Sequence, residues 1–540
     1  MLRLVRAVTI WSAGVLIALL AAGSVRSQVL TSQYDNARTG ANLRETILTP
    51  KNVNSAQFGK IFSFDVEGDV YAQPLYVPNV ELAGKGRHNV LFVATEHDSV
   101  YAFDADGKTT EPLWRVTLLD PANGVQPVAA FDVQCPFIRP EIGITSTPVI
   151  DLPTGTLYVL ARTKERGTDG ATHFVQKLHA LAITTGAEKF GGPVEIHAEV
   201  KGDKFLGIKG TIAFDPLHEN QRAALLLTGG KVVVTWASSC DERPYYGWVI
   251  AYDAHTLAQA GVVNLSPNAG ESGIWQGDAG PAADSDGNIY LITGNGRFTA
   301  ASGGLDYGDS VVKLGFTAKG MEVRDYFTPA DQERLNQTDG DFGSGAPLLL
   351  PDQPGQHSHL VLAAGKAGII YELDRENLGK FKAENDSNAV QAVKAGVDSF
   401  GAPAYWNGHV YYFLSGDVLR DYRLQNGRLG VEPAAKSSTK FTDPGATPTV
   451  SADGTKNGIV WVLSSKTWNG SDMNAGLYAY DAEDVSRELY DSKKSENRDR
   501  DKAGLALRFA IPTVVNGRVY FGTKNRVEVY GLLAGAKNSK

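Results

Sequence analysis

The 540-residue chain is poor in sulfur, with two cysteines, Cys135 and Cys240, and three methionines. Two cysteines exclude a disulfide-dense scaffold and a four-cysteine metal site. With no C-x-x-C-H in the sequence, covalently attached haem is excluded too. The pair itself allows two readings, a bridge formed in an oxidising compartment or two buried thiols. Basic clusters are also missing. Lys and Arg number 52 against 60 Asp and Glu, a net charge of −8, and such a surface is a poor partner for nucleic acid or an anionic membrane. There is no G-x-S-x-G, no H-E-x-x-H and no P-loop. Beyond the first residues no apolar run has transmembrane length, and no long helical periodicity occurs.

What the chain does have begins at its start. Arg3 and Arg6 precede a mostly apolar stretch, residues 7–23, and Val25 and Ser27 are small residues ahead of Gln28. That pattern predicts a secretory signal over 1–27, removed on export to the periplasm or medium, with an uncleaved anchor as the other reading. An N-terminal extension follows over 28–58, and the last residues, 536–540, read as a tail.

Between them a unit repeats. A small-x-Pro segment leads into a short apolar strand, then a turn, a second strand, a loop, and a third strand ending near "AYDA". Residues 72–107 show it in full, and 446–484 and 510–533 repeat it. The prolines stand at 74, 148, 281, 347, 403, 448 and 512. The double gap from 148 to 281 is filled by a unit in which Ala224 takes the proline's place. Gly (58) and Pro (24) are frequent, as many short strands joined by turns require. Eight such units predict an all-β, eight-bladed β-propeller of four-stranded antiparallel blades over 59–535. The final unit supplies only three strands, so "GKIFSFDV" (59–66) is expected to add the fourth and close the ring. Proline suits the first residue of a strand, where no ladder donor is needed.

The repeat also predicts a working face. The loops into each first strand and between the second and third are the long ones: 119–143, 237–247, 266–279, 294–309, 329–345, 385–400 and 464–476. Both cysteines fall on that side. "ATEHDSVY" (94–101) and the mixed-charge run 491–502 read as solvated loops.

Four segments on this face resemble those of the quinoprotein alcohol dehydrogenases, propellers that hold pyrroloquinoline quinone (PQQ) and Ca²⁺ over the central channel. They are "CDERPYYGWVIAYDA" (240–254), "GIWQGDAGPAADSDGNIYLITGNG" (273–296), "DYFTPADQERLNQTDGDFGSGAPLLLPD" (325–352) and "AGKAGIIYELDRENLGKF" (364–381). The resemblance implies Trp275 as the floor under the quinone, with Lys366 and Ser239 as its polar contacts. It implies Glu242, Asn295 and Asp341 as metal ligands, and Asp341 as the catalytic base, with Asp339 competing for that role. The residue types suit the task. Ca²⁺ takes carboxylate and amide oxygens, a flat tricycle takes an indole face, and a carboxylate can accept the proton of an alcohol. The implied activity is oxidation of an alcohol or other hydroxyl compound, with electrons passed to a soluble cytochrome c.

The sequence also departs from that family. Its adjacent Cys-Cys pair is absent, and Gly340, Tyr246, Phe400 and Tyr71 stand where a Trp, an Arg, an Asn and a Glu are expected. These changes thin the surroundings of the quinone and leave room for the other reading, a catalytically silent propeller serving as a binding or assembly scaffold in the cell envelope.

Overall fold

In the computed structural model the described residues are 27–204, 208–464, 473–494 and 499–535. The predicted signal segment, the C-terminal tail and parts of the loops 464–476 and 491–502 lie outside them. The structure is a ring of eight four-stranded antiparallel blades, numbered here in chain order. Blade 1 runs from its channel strand outward through Leu75–Leu82, Gly86–Ala94, Ser99–Asp104 and Trp114–Thr117. The channel strands of blades 2 to 7 are Val149–Asp151, Leu226–Thr228, Ala282–Ala283, Leu348–Leu349, Ala404–Trp406 and Thr449–Asp453. Blade 8 joins Thr513–Val515, Arg518–Thr523 and Arg526–Leu532 to Phe58–Asp65, which pairs antiparallel with Arg526–Leu532 as the outermost strand. The first long strand of the chain thus shares a sheet with the last three.

Each repeat proline directly precedes a channel strand, where its missing N–H deprives no ladder of a donor. The core is divided among the blade interfaces. One buried apolar cluster carries residues of blades 8, 1 and 2, including Phe64, Phe103 and Ile150. Others bridge blades 2 and 3, 3 and 4, 4 and 5, 5 and 6, 6 and 7, and 7 and 8. Every interface of the ring is covered, as face-to-face sheet packing requires.

The second-strand tyrosine and the "DA" after the third strand have a shared purpose. Tyr158 Oη donates to the Ala254 carbonyl of the next blade at 2.5 Å, Tyr520 Oη to Ala105 at 2.9 Å, and Tyr411 Oη to Ala482. Each of these carbonyls belongs to the neighbouring blade, so a buried hydroxyl and a strand-end acceptor satisfy each other across the interface. Among the described residues helix is confined to short turns, the longest being Gln332–Gln337, and no helix is long and apolar enough to cross a membrane.

Candidate functional site

A cavity of about 600 Å³ opens among the long loops. Residues from the 119–143, 237–247, 266–279, 329–345 and 385–400 loops line it, so the expected working face and the cavity coincide. Ser239, Trp275, Lys366 and Asp341 all contribute to its wall.

Asp341 sits in a turn just ahead of the blade 5 channel strand and is 7% exposed. Its Oδ1 accepts the backbone N–H of Asn295 at 2.7 Å, and its Oδ2 accepts from Lys366 Nζ at 2.7 Å. The same ammonium reaches Asp339 Oδ1 at 2.9 Å, as does Asn295 Nδ2. Blades 4 and 5 thereby meet at one carboxylate–ammonium–carboxylate cluster. Burial raises the Asp341 pKa, and the adjacent Lys366 ammonium opposes the rise. For Lys366 burial acts downward, yet the two carboxylates outweigh it and the net shift is upward. Lys366 is therefore an ammonium at neutral pH, and it is also 5.9 Å from the ring centre of Phe400. The "TGNG" turn permits this approach because a Cβ on Gly294 would lie 2.6 Å from Asp341 Oδ1 and 3.0 Å from Trp275 Cδ1.

Asp309 lies beneath this cluster with no exposed surface. Its Oδ1 accepts from the Phe342 N–H at 3.0 Å and its Oδ2 from Gln332 Nε2 at 3.3 Å. Burial pushes its pKa up to about 8, and it fixes the turn that presents Asp341.

Trp275 is partly buried, with Tyr245 edge-on at 6.4 Å. Its Nε1, the Oγ of Ser239 and the Oδ1 of Asn295 are buried atoms without a hydrogen-bond partner. Such atoms are rare in native proteins and mark places where a polar ligand fits.

The Glu242 side chain is placed differently. It is exposed and does not line the cavity. Cys240 and Asp241 adopt φ of +57° and +56°, and this turn brings Asp241 to the cavity wall while the chain carries Glu242 outward. Asp241 Oδ1 accepts from Tyr245 Oη at 3.0 Å, and burial raises its pKa. Counting five residues back from Gly247 selects Glu242, and spacing gives no warning of a left-handed turn next door. Asn295 stands just behind the wall, bonded to both aspartates. Among the described residues no group of three or more His, Cys, Asp or Glu is arranged to hold a metal ion.

Of the two readings open to the cysteine pair, the structure has the bridge. Cys135 and Cys240 form a disulfide across 105 residues, with the Cα atoms 5.5 Å apart, and both line the cavity. The bridge ties the 119–143 loop to the loop carrying Ser239 and Asp241. Arg222, 4.8 Å from the ring centre of Phe509, adds a second cation and an aromatic wall. Asp398 also lines the cavity, its pKa raised by burial. Arg222, Phe509 and Asp398 escape sequence reasoning, because they come from loops and inter-blade segments outside any repeated motif and only the closed ring brings them together.

No family model and no curated protein sequence matches the chain. Solved structures do. A europium-containing methanol dehydrogenase superposes with a TM-score of 0.59 at 13% identity, covering 94% of this chain and 98% of that one. The quinohemoprotein alcohol dehydrogenase ADHIIG from Pseudomonas putida HK5 does so at 0.56 and 15%, covering 95% and 81%. At these identities the likeness establishes the fold alone: the chain shares the propeller fold of these two structures.

Proposed function

We propose that the chain is an exported dehydrogenase of the PQQ type, taking small hydroxyl compounds in the loop cavity. The observation that carries this reading is the convergence of Trp275, Ser239, Lys366 and Asp341 on one cavity of about 600 Å³, within the usual range for cofactor and ligand sites of roughly 300–1,000 Å³. A flat quinone fits the wall's chemistry. The indole of Trp275 offers a face, and the orphaned Ser239 Oγ offers a hydrogen-bond donor. The Lys366 ammonium offers a partner for a quinone oxygen or carboxylate. Bound there, the quinone supplies a two-electron acceptor for hydride. Asp341 receives the substrate hydroxyl proton at a carboxylate oxygen. Its neighbour Lys366 keeps it ionised, while burial makes it a stronger base than an exposed aspartate. Electrons would then leave to a soluble cytochrome c in the periplasm.

The calcium part of the reading requires rearrangement. Asn295 Oδ1 is free to ligate, but both Asp341 oxygens already accept hydrogen bonds and Glu242 is exposed. The Lys366 ammonium holds the position between two carboxylates that a cation would otherwise neutralise, so no step here is routed through a metal. Coordination by Glu242, Asn295 and Asp341 would need the Glu242 loop to turn inward and Lys366 to release Asp341. The same saturation of Asp341 favours the second reading, a non-catalytic scaffold.

The test is turnover. Purified protein with PQQ, with and without Ca²⁺, is assayed against a panel of primary and secondary alcohols with an artificial electron acceptor. PQQ-dependent reduction of the acceptor that falls at least 100-fold in Asp341→Asn supports the dehydrogenase. No reduction with any alcohol, under conditions where PQQ binds, supports the scaffold.

A further inference from the structure

Residues 29–42, near the start of the described chain, are buried or half-buried rather than exposed. They run inside the ring and meet the blades in order. Val29 exchanges backbone hydrogen bonds with Tyr76 of blade 1, at 2.8 and 2.9 Å, and the Leu30 carbonyl accepts from Ile150 N of blade 2 at 2.8 Å. Asn36 Nδ2 donates to the Leu227 carbonyl of blade 3 at 2.8 Å, and the Asn36 carbonyl accepts from Ala283 N of blade 4 at 2.7 Å. The carbonyls of Ala37, Thr39 and Gly40 accept from Leu349, Tyr405 and Val450 of blades 5, 6 and 7 at 2.8–2.9 Å. Asn42 Nδ2 reaches the Val514 carbonyl of blade 8 at 2.9 Å. Fourteen residues visit all eight blades once around.

The register is regular. Tyr76, Ile150, Ala283, Leu349, Tyr405 and Val450 each stand two residues after a repeat proline. Val514, two after Pro512, donates its N–H to Tyr34 Oη at 2.8 Å. These are the channel-facing N–H groups of the innermost strands, which have no further strand to pair with. Left bare inside a closed ring, each would cost about 1–3 kcal/mol, and a row of them is an unprotected sheet edge. The centre is held by Arg38, fully buried, which donates Nε to the Pro281 carbonyl, Nη1 to Thr31 Oγ1 and the Ser32 carbonyl, and Nη2 to the Leu225 carbonyl. The cavity-lining residues Gly277, Ser344, Phe400 and Phe509 precede the prolines, whereas the segment docks after them. The segment therefore lies deeper along the channel than the cavity.

We propose that the channel wall below the cavity is a recognition site for one extended peptide, the chain's own residues 29–42, and that this segment is a strap whose seating holds the eight-bladed ring shut. Recognition is by backbone pairing with strand edges, as in strand addition, and register is set by Arg38 and by Asn36 and Asn42. The strap does not depend on what the cavity binds.

The test uses the full chain with a protease recognition site inserted after exposed Lys51, between the strap and blade 8's outer strand. After cleavage, the fragment ending at Lys51 is expected to coelute with the body in size exclusion and to leave only under denaturant. Nicked Arg38→Ala and, as a milder variant, nicked Asn36→Ala are expected to release it at least tenfold faster, with a fall in the melting temperature of the body. A labelled synthetic peptide spanning 27–46 should then rebind to the emptied body and restore that temperature, while a scrambled one should not. Spontaneous loss of the fragment from the nicked parent protein, with the melting temperature unchanged, would overturn the proposal. So would equal restoration by the scrambled peptide.

Discussion

Asp309→Asn gives a stability change whose sign reverses the usual acid sensitivity of carboxylates. Asp309 is fully buried, and its pKa is pushed up to about 8 by that burial, against about 3.9 in an unfolded chain. The native state holds the proton more tightly than the unfolded state. Its contribution is thus fully present below about pH 4 and is lost as pH rises through about 8. Four pK units at about 1.4 kcal/mol each give roughly 5–6 kcal/mol at complete ionisation, of which about 3–4 kcal/mol falls between pH 5 and pH 8. In the variant, Asn Oδ1 still accepts the Phe342 N–H, and nothing at that position titrates. Its amide group faces the Gln332 amide, which adds a penalty of about 1–3 kcal/mol that does not vary with pH. Urea unfolding of both proteins at pH 5 and pH 8 isolates the effect as a difference of differences. The account expects the variant to gain about 3 kcal/mol on the parent protein across that interval. Parallel pH profiles would show that Asp309 is already ionised at pH 5 and would refute the reasoning.

Two further outcomes follow from the same cluster and its walls. Lys366→Met leaves Asp341 with the Asn295 N–H as its only remaining donor of the present pair. Stability should fall by about 2–4 kcal/mol at pH 8 and by clearly less at pH 5, because burial raises the Asp341 pKa and loss of the opposing ammonium favours its protonated form; equal losses at both values in urea titrations would contradict this. Cys135→Ser with Cys240→Ser opens a loop of 105 residues, for which chain entropy gives a loss of up to about 4–5 kcal/mol. A lowered denaturation midpoint should come with weaker ligand binding, because the bridge joins two walls of the cavity, and an unchanged midpoint would count against any structural role for it.

The fold was legible because it is repeated. Seven prolines in matching positions located the channel strands, and each stands directly ahead of one. The candidate site was legible where a side chain stands close to a repeat proline: Trp275 and Asp341 each lie six residues before one, and both line the cavity together with Lys366. It was illegible where the chain turns. Successive positive φ values at Cys240 and Asp241 put Asp241 on the wall and Glu242 in solvent, and nothing in the residue types distinguishes the two acids. The Cys135–Cys240 bridge was one of two readings open to the sequence, whereas the passage of residues 29–42 around the channel depends on ring closure, which brings together residues more than 470 positions apart. No local pattern encodes such a distance.

The central claim is that the loop cavity holds a quinone against Trp275, and the most direct measurement is a titration of the purified protein with PQQ, with and without Ca²⁺, followed by tryptophan fluorescence. The account predicts saturable quenching that is lost in Trp275→Ala and weakened at least tenfold in Lys366→Met. It also predicts that Ca²⁺ will tighten binding only where Glu242→Ala abolishes that gain. Absence of quenching at tens of micromolar PQQ, or quenching that persists unchanged in Trp275→Ala, would contradict it.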